Sequence, residues 1–394
     1  MARIWLTAGF FALLITPSFA APSHAAHMTL ATLLRKHIHA VEVTPGALSR
    51  VAPTETVYAI HAGGLTGSLT EWDDPPKRSR VEMQLGPLHQ TLADNGKTAW
   101  QQDASGNVRI LRGAELAAAR AASAISIENY DLIKKSKKGE VTLRPKRDAA
   151  TGDYILDVAP RGGSKQVLYL DPKTYLVTKM VASQGGLAGT INILAYKTFD
   201  GQKTPSKLQI QYAGLPLLVN ASLVRAQRVA RLDPTLFAVP KSTTDCAFLD
   251  SADGDEAIVP VTIPHGEIVF DVEVNGHPLH LMLDSGAGAD FITADAADAA
   301  GLKSTPALFA FGYGGATATG IAGHATIDIG GKVRLSDQNL YVIKDPRVAK
   351  LLGTWGIDGS LGYDLLARLT VSIDYAHNSL TLTRPSSYIA QTTN

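Results

Sequence analysis

From Thr54 onward the chain alternates apolar and polar residues at every second position, and Gly, Asn-Gly and Asp-Pro cut it into short runs. That period places apolar side chains on one face of an extended strand and is incompatible with the 3.6-residue repeat of a helix. The runs at 67–72, 79–85, 97–102 and 107–111, and those at 153–160, 165–172, 174–182, 189–199, 206–214 and 217–224, predict a meander of strands. Two segments break the rule. Leu30, Leu33, Leu34, His37 and Ile38 fall on one face of a predicted helix over 30–41, and the Ala-rich stretch 113–130 predicts a second. The fold class is therefore mostly β. The 35 Gly and 20 Pro supply its turns, while 45% hydrophobic and 19% charged residues exclude a disordered chain. A length of 394 residues calls for two or three domains.

Residues 1–20 have a different character. Arg3 precedes an apolar core from Ile4 to Ile15, and Ser18-Phe19-Ala20 offers small residues where a signal peptidase reads. This predicts an exported protein, periplasmic or secreted. The single cysteine, Cys246, excludes an intrachain disulfide, and without a His-base pattern nearby it reads as an incidental thiol. Net charge is +1, but residues 1–244 hold 29 Lys/Arg against 18 Asp/Glu, and residues 245–394 hold 8 against 18. So abrupt a reversal points to two units with different surfaces. The acidic, Ser- and Thr-rich segment 241–257 reads as the linker between a β domain at 27–240 and a second domain at 258–394. The charge run Lys134, Lys135, Lys137 and Lys138 reads as a solvated loop.

The second domain carries the chemistry. Phe270, Val272 and Val274 alternate up to Asn275-Gly276, a tight-turn pair, and Leu279, Leu281 and Leu283 alternate on the return. That hairpin delivers Asp284-Ser285-Gly286-Ala287, after which Asp290-Phe291-Ile292 re-enters a strand and Thr293 caps a short helix ending at Gly301. A glycine-rich segment follows at 311–331, then Leu361-Gly362 before Tyr363-Asp364-Leu365-Leu366 and a final hairpin around Asp374. In this order the motifs resemble the retropepsin-like aspartic peptidases, the single-domain bacterial group above all. The resemblance implies a closed β-barrel with Asp284 as the catalytic aspartate and Ser285, Gly286 and Ala287 completing its loop. It further implies that Leu361 and Gly362 brace that loop, and that Gly312, Tyr313, Gly314 and Gly315 form a flap. Asp364 and Asp374 take structural roles in the same pattern. Peptide hydrolysis needs one carboxylate as base and one carboxylic acid as proton donor. No second Asp-Ser/Thr-Gly occurs in the chain, so the resemblance implies a homodimer in which each copy gives Asp284.

The first domain resembles the LolA-like lipoprotein-carrier fold, a curved antiparallel sheet with helices. The resemblance rests on Trp100, Asp103 and Gly106, on the hairpin 167–180, on 196–210 and on Leu232-Asp233-Pro234-Thr235-Leu236-Phe237. It implies a concave face for acyl chains or a peptide. His277 and His280 flank a turn, and His37 and His39 lie on a helix; lacking a third ligand they read as solvated, so no metal and no cofactor is expected. Nor is a nucleic-acid partner. The leading expectation is an exported aspartic endopeptidase. The alternatives are a lipid- or peptide-binding protein whose peptidase-like domain only dimerises, and a front domain acting as a pro-segment. N-terminal sequencing of exported material should find the chain beginning after Ala20, or within the stretch up to Ala26, and not at Met1.

Overall fold

A computed structural model describes residues 28–384 apart from 49–51, 76–77, 105, 127–139, 160–163, 185–186, 213–217, 242–245, 250–253, 306–307 and 313–314. The predicted leader, the lysine run at 134–138 and the flap tip Tyr313-Gly314 lie outside the described residues. Helix α1 (Leu30–Val41) is capped by the Thr29 hydroxyl, and α2 is Gly113–Ser126. His37, expected to be solvated, is buried with Leu33, Leu34 and Val41. It shares the helix's apolar face, and its Nδ1 lies 2.7 Å from the Tyr175 carbonyl.

The front sheet comprises β1 (Thr54–Ala62), β2 (Leu65–Asp74), β3 (Arg78–Leu85), β4 (Leu88–Asp94), β5 (Ala99–Gln102), β6 (Val108–Ile110) and β7 (Val141–Leu143). It continues with β8 (Tyr154–Val158), β9 (Gln166–Leu170), β10 (Val177–Gln184), β11 (Leu187–Phe199), β12 (Gln202–Tyr212) and β13 (Leu218–Arg228). All neighbours are antiparallel, and β1 pairs with β13, so two meanders join into one sheet in the order 6-5-4-3-2-1-13-12-11-10-9-8-7. Asp200-Gly201 turns β11 into β12 with both φ positive, as a tight hairpin turn demands. Residues of both arms, from β4 on one side to β9 on the other, line one cavity of about 440 Å³, closed further by Val41 of α1 and Ala119 of α2. The sheet is therefore curved around a hollow.

Two of the sequence pointers meet in this domain. The Trp100 ring is fully buried, and its indole N–H donates to the Phe237 carbonyl at 3.1 Å. Asp233 caps the single 3-10 turn that ends in Phe237, itself fully buried. The closing segment thus returns to the beginning of the meander.

The back domain contains β14 (Cys246–Phe248), β15 (Glu256–Pro260), β16 (Val269–Val274), β17 (His277–Leu283), β18 (Phe291–Thr293) and β19 (Leu308–Gly312). Then come β20 (Gly315–Ile329), β21 (Val333–Ile343), β22 (Gly359–Leu361), β23 (Thr370–Asp374) and β24 (Ser379–Thr383). Strands β21-β18-β22-β17-β16-β20 close on themselves because β20 also pairs with β21, giving a six-stranded barrel. Strands β14 and β19 flank it, and β15-β24-β23 form a separate small sheet. The barrel is filled by Phe270, Val272, Leu281, Ile292, Ile327, Ile329, Leu335 and Leu340. Three short helices complete the domain: α3 (Ala294–Ala299), α4 (Pro346–Thr354) and α5 (Tyr363–Leu366).

The segment expected as a bare linker contributes β14, paired with β21, and the start of β15. Three residues are too few to register as an alternating run, and the buried Cys246 is one of them. The two domains also share a seam. Ile321 and Tyr341 of the barrel pack into the front cluster of Tyr58, Ile60, Leu65, Leu85 and Leu88. The Asn339 amide donates to the Ala104 carbonyl at 3.1 Å, and the Asn107 amide to the Tyr363 hydroxyl at 3.2 Å.

Trp100→Ala should cost about 3–5 kcal/mol, the range for emptying a large aromatic site. Urea denaturation followed by circular dichroism measures it. Trp100→Phe should recover most of the packing and lose only about 1–3 kcal/mol, for the Phe237 carbonyl left without its donor.

Candidate active site

The chain between β17 and β18 is a loop, and those strands are not neighbours. Strand β22 lies between them, parallel to β17 and antiparallel to β18. A loop straddling an inserted strand can be held from behind by that strand's end, and four hydrogen bonds do this. The Asp284 N–H donates to the Leu361 carbonyl at 3.0 Å, and the Tyr363 N–H to the Ala287 carbonyl at 2.9 Å. The Gly362 N–H donates to Asp290 Oδ1 at 2.7 Å, and the Asp290 N–H to Asp364 Oδ2 at 3.2 Å. A fifth bond, from the Tyr341 N–H to the Asp290 carbonyl at 3.0 Å, fixes the exit into β18.

Close approach explains two glycines. A Cβ on Gly362 would lie 2.6 Å from the Ala287 carbonyl oxygen, and one on Gly359 would lie 2.1 Å from that of Phe291. Real Cβ contacts do not come so close, so β22 can insert only with glycine at both positions.

Within the loop, Asp284 Oδ1 accepts the Gly286 N–H at 2.8 Å, which aims the carboxylate. Asp284 is half-buried, and Ser285 and Gly286 are exposed. The loop tip in a single chain is thus open to solvent. Of the expected flap, Gly312 and Gly315 are paired at the open end of the β19–β20 hairpin, around the tip that lies outside the described residues. Asp374 accepts the Ala376 and His377 N–H groups and stabilises its own turn. His280 lies 2.7 Å from the exposed Asp271 carboxylate, and no cluster of three or more metal-ligating side chains occurs among the described residues.

Sequence reasoning passed over Asp290 as a titratable group. Its side chain is fully buried behind the loop and Oδ2 has no hydrogen-bond partner among the described residues. Burial and the neighbouring Asp364 carboxylate push its carboxyl up to about 7. Arg368, buried on the same side, is held below its usual range by desolvation. Its guanidinium donates to Gln338 Oε1 at 2.6 Å. The signal was legible only in part: an aspartate closing an Asp-Ser-Gly-Ala-Gly-Ala-Asp loop is close enough in sequence to serve as its anchor.

Residues 270–365 match the family model described as aspartyl protease. Among solved structures, a retropepsin-like aspartic protease from Rickettsia conorii is similar at 20% identity, covering 37% of this chain and 97% of its own, with a TM-score of 0.24. A LolA superfamily protein from Nitrosomonas europaea is similar at 13% identity, covering 54% and 98%, with a TM-score of 0.35. A DUF1329 family protein from Desulfovibrio piger is similar at 15% identity, covering 53% and 96%, with a TM-score of 0.35. No curated protein matches the chain. The stretch that matches the aspartyl protease model thus falls on the six-stranded barrel that follows the curved antiparallel sheet.

Gly362→Ala should push Ala287 and with it the loop, destabilising the barrel by about 1–3 kcal/mol as overpacking does. A thermal melt reads this. Asp290→Asn tests the buried acid. The unfolded aspartate releases its proton near pH 4, whereas the folded one keeps it to about 7. Between those values the folded chain binds more protons, so stability falls as pH rises through the window. The melting temperature of Asp290→Asn relative to the parent should therefore climb from pH 4 to pH 8. A constant difference would remove the titration from Asp290.

Proposed function

We propose that the protein is an extracytoplasmic aspartic endopeptidase, active as a homodimer in which Asp284 from each of two chains forms the dyad. The observation that carries this reading is the Asp284 carboxylate, aimed by the Gly286 amide on a loop that an inserted strand holds rigid. Rigidity matters because the reacting groups must be held within fractions of an ångström of their working geometry. The half-exposed state of Asp284 and the exposure of Ser285 and Gly286 suit a tip that becomes covered on association.

The chemistry follows from two carboxyls brought to ~3 Å, which cannot both ionise and so share one proton. The ionised member takes a proton from a water held between them. That water attacks the peptide carbonyl carbon while the protonated member donates to the carbonyl oxygen, giving a tetrahedral diol. Return of a proton to the amide nitrogen then expels the amine and leaves a carboxylic acid. The exposed Ser285 hydroxyl can reach across the pair, and Gly286 leaves room for the facing carboxylate. A β19–β20 flap would exclude bulk water over an extended substrate.

The 440 Å³ cavity of the front domain favours a second element of function, the holding of an acyl or other apolar chain. The leader-like residues 1–20 support a place outside the cytoplasm.

Cleavage of a mixed peptide library by the mature chain should rise in specific activity with protein concentration until dimerisation saturates. The pH profile should be bell-shaped, bounded by two macroscopic values that belong to the dyad. Asp284→Asn should abolish cleavage and leave the melting temperature and the sedimenting dimer unchanged. Full activity at high dilution, or cleavage by Asp284→Asn, would overturn the reading.

A further inference from the structure

The front cavity is apolar over most of its wall, with Leu92, Leu168, Met180, Ile191 and Leu208 among its lining residues. Glu71, at the middle of β2, opens onto it between its cross-strand partners Thr56 and Val81, which line it too. The carboxyl is enclosed by the domain and keeps accessible surface toward the hollow. The Tyr58 phenol is its polar neighbour, Tyr196 lies beside Tyr58, and both phenols have committed their protons. The Tyr58 hydroxyl donates to the Pro205 carbonyl at 3.2 Å, and the Tyr196 hydroxyl to the Val177 carbonyl at 2.8 Å. The other charged lining groups are Asp73, Asp94, Asp200, Lys203 and Arg228; Arg228 bonds Asp200 and the Ala47 carbonyl, and Asp94 pairs with Arg120. Across the hollow on β9, the buried Gln166 carboxamide oxygen also has no donor among the described residues. Lys203, on β12, lies three strands away from β2, so the stretch of wall around Glu71 presents a carboxyl with no cation against it among the described residues.

We infer that this cavity selects a single apolar chain bearing an N–H donor, an amine or an amide, with Glu71 as the group that accepts it. The inference rests on the reading of the cavity as an apolar-chain site and adds the chemistry of the head. An unmatched buried acceptor is costly, and a ligand donor removes that cost only when it is present. A fatty carboxylate brings no donor to Glu71 and would face a second carboxylate there. Burial pushes the Glu71 carboxyl up to about 7, so near neutrality it converts from acid to carboxylate. A cationic amine should then bind more tightly as pH rises through that value, the ion pair replacing lost hydration.

Displacement of diphenylhexatriene, an uncharged fluorescent apolar probe, from the full mature chain tests this. At pH 8, dodecylamine and the N-methylamide of lauric acid should each displace the probe at about tenfold lower concentration than laurate, the scale of one hydrogen bond to a charged group. Dodecylamine should gain affinity between pH 6 and pH 8 in the parent and not in Glu71→Gln. Glu71→Leu should keep the probe and lose the preference for both nitrogen ligands. Equal displacement by laurate and the nitrogen compounds, or a preference unchanged in both variants, would overturn the inference while leaving an apolar-chain site intact. Failure of the parent chain to bind the probe would instead overturn the cavity reading itself, and the inference with it.

Discussion

The insertion of three residues, Gly359 to Leu361, between β17 and β18 is the constraint on which the back domain depends. Without it, the loop carrying Asp284 would join two strands with nothing behind it and would sample many conformations. With it, the backbone groups of residues 284, 287 and 290 all find partners. Such insertion requires backbone-to-backbone proximity, which explains why the glycines concentrate there and not at the loop tip alone. The closed barrel follows from the same arrangement, because β22 is the link that lets the ring of strands close.

The anchoring of that loop depends on a protonated or proton-sharing acid. Asp290 accepts from Gly362 with one oxygen and buries the other beside Asp364. Two carboxylates side by side, with the desolvated Arg368 near them, are more tolerable when they retain a proton. The half-buried Asp284 and the fully buried Asp290, six positions apart on one loop, thus occupy different environments: one reaches solvent, the other the interior. The loop's chemistry and its mechanical support are separated by burial.

Much of this was legible from residue pattern. The hairpin turning at Asn275-Gly276 has both residues at positive φ, and Thr293 caps the helix that Gly301 ends. The front strands expected from alternation are present, because each has one face on a core. What escaped was set by tertiary contact. The named runs do not include β1, β4 or β7, and β14 sits in an acidic segment, where a short edge strand needs few apolar residues. His37 looked like a surface histidine because its partner, the Tyr175 carbonyl, is 138 residues away in sequence. Glu71 gave no warning either, since a glutamate in an alternating strand reads as solvent-facing unless the curvature of the whole sheet is known.

The seam between the domains has a consequence at the level of single residues. Tyr341 and Tyr363 each hold the Asp284 loop through a backbone N–H, while their side chains face the front domain. One residue therefore fastens two things with different atoms. A change of side chain at either position loosens the joint between the domains but leaves the amide that grips the loop in place. The front domain can drift in sequence, or exchange the residues it presses against the barrel, without unfastening the aspartate.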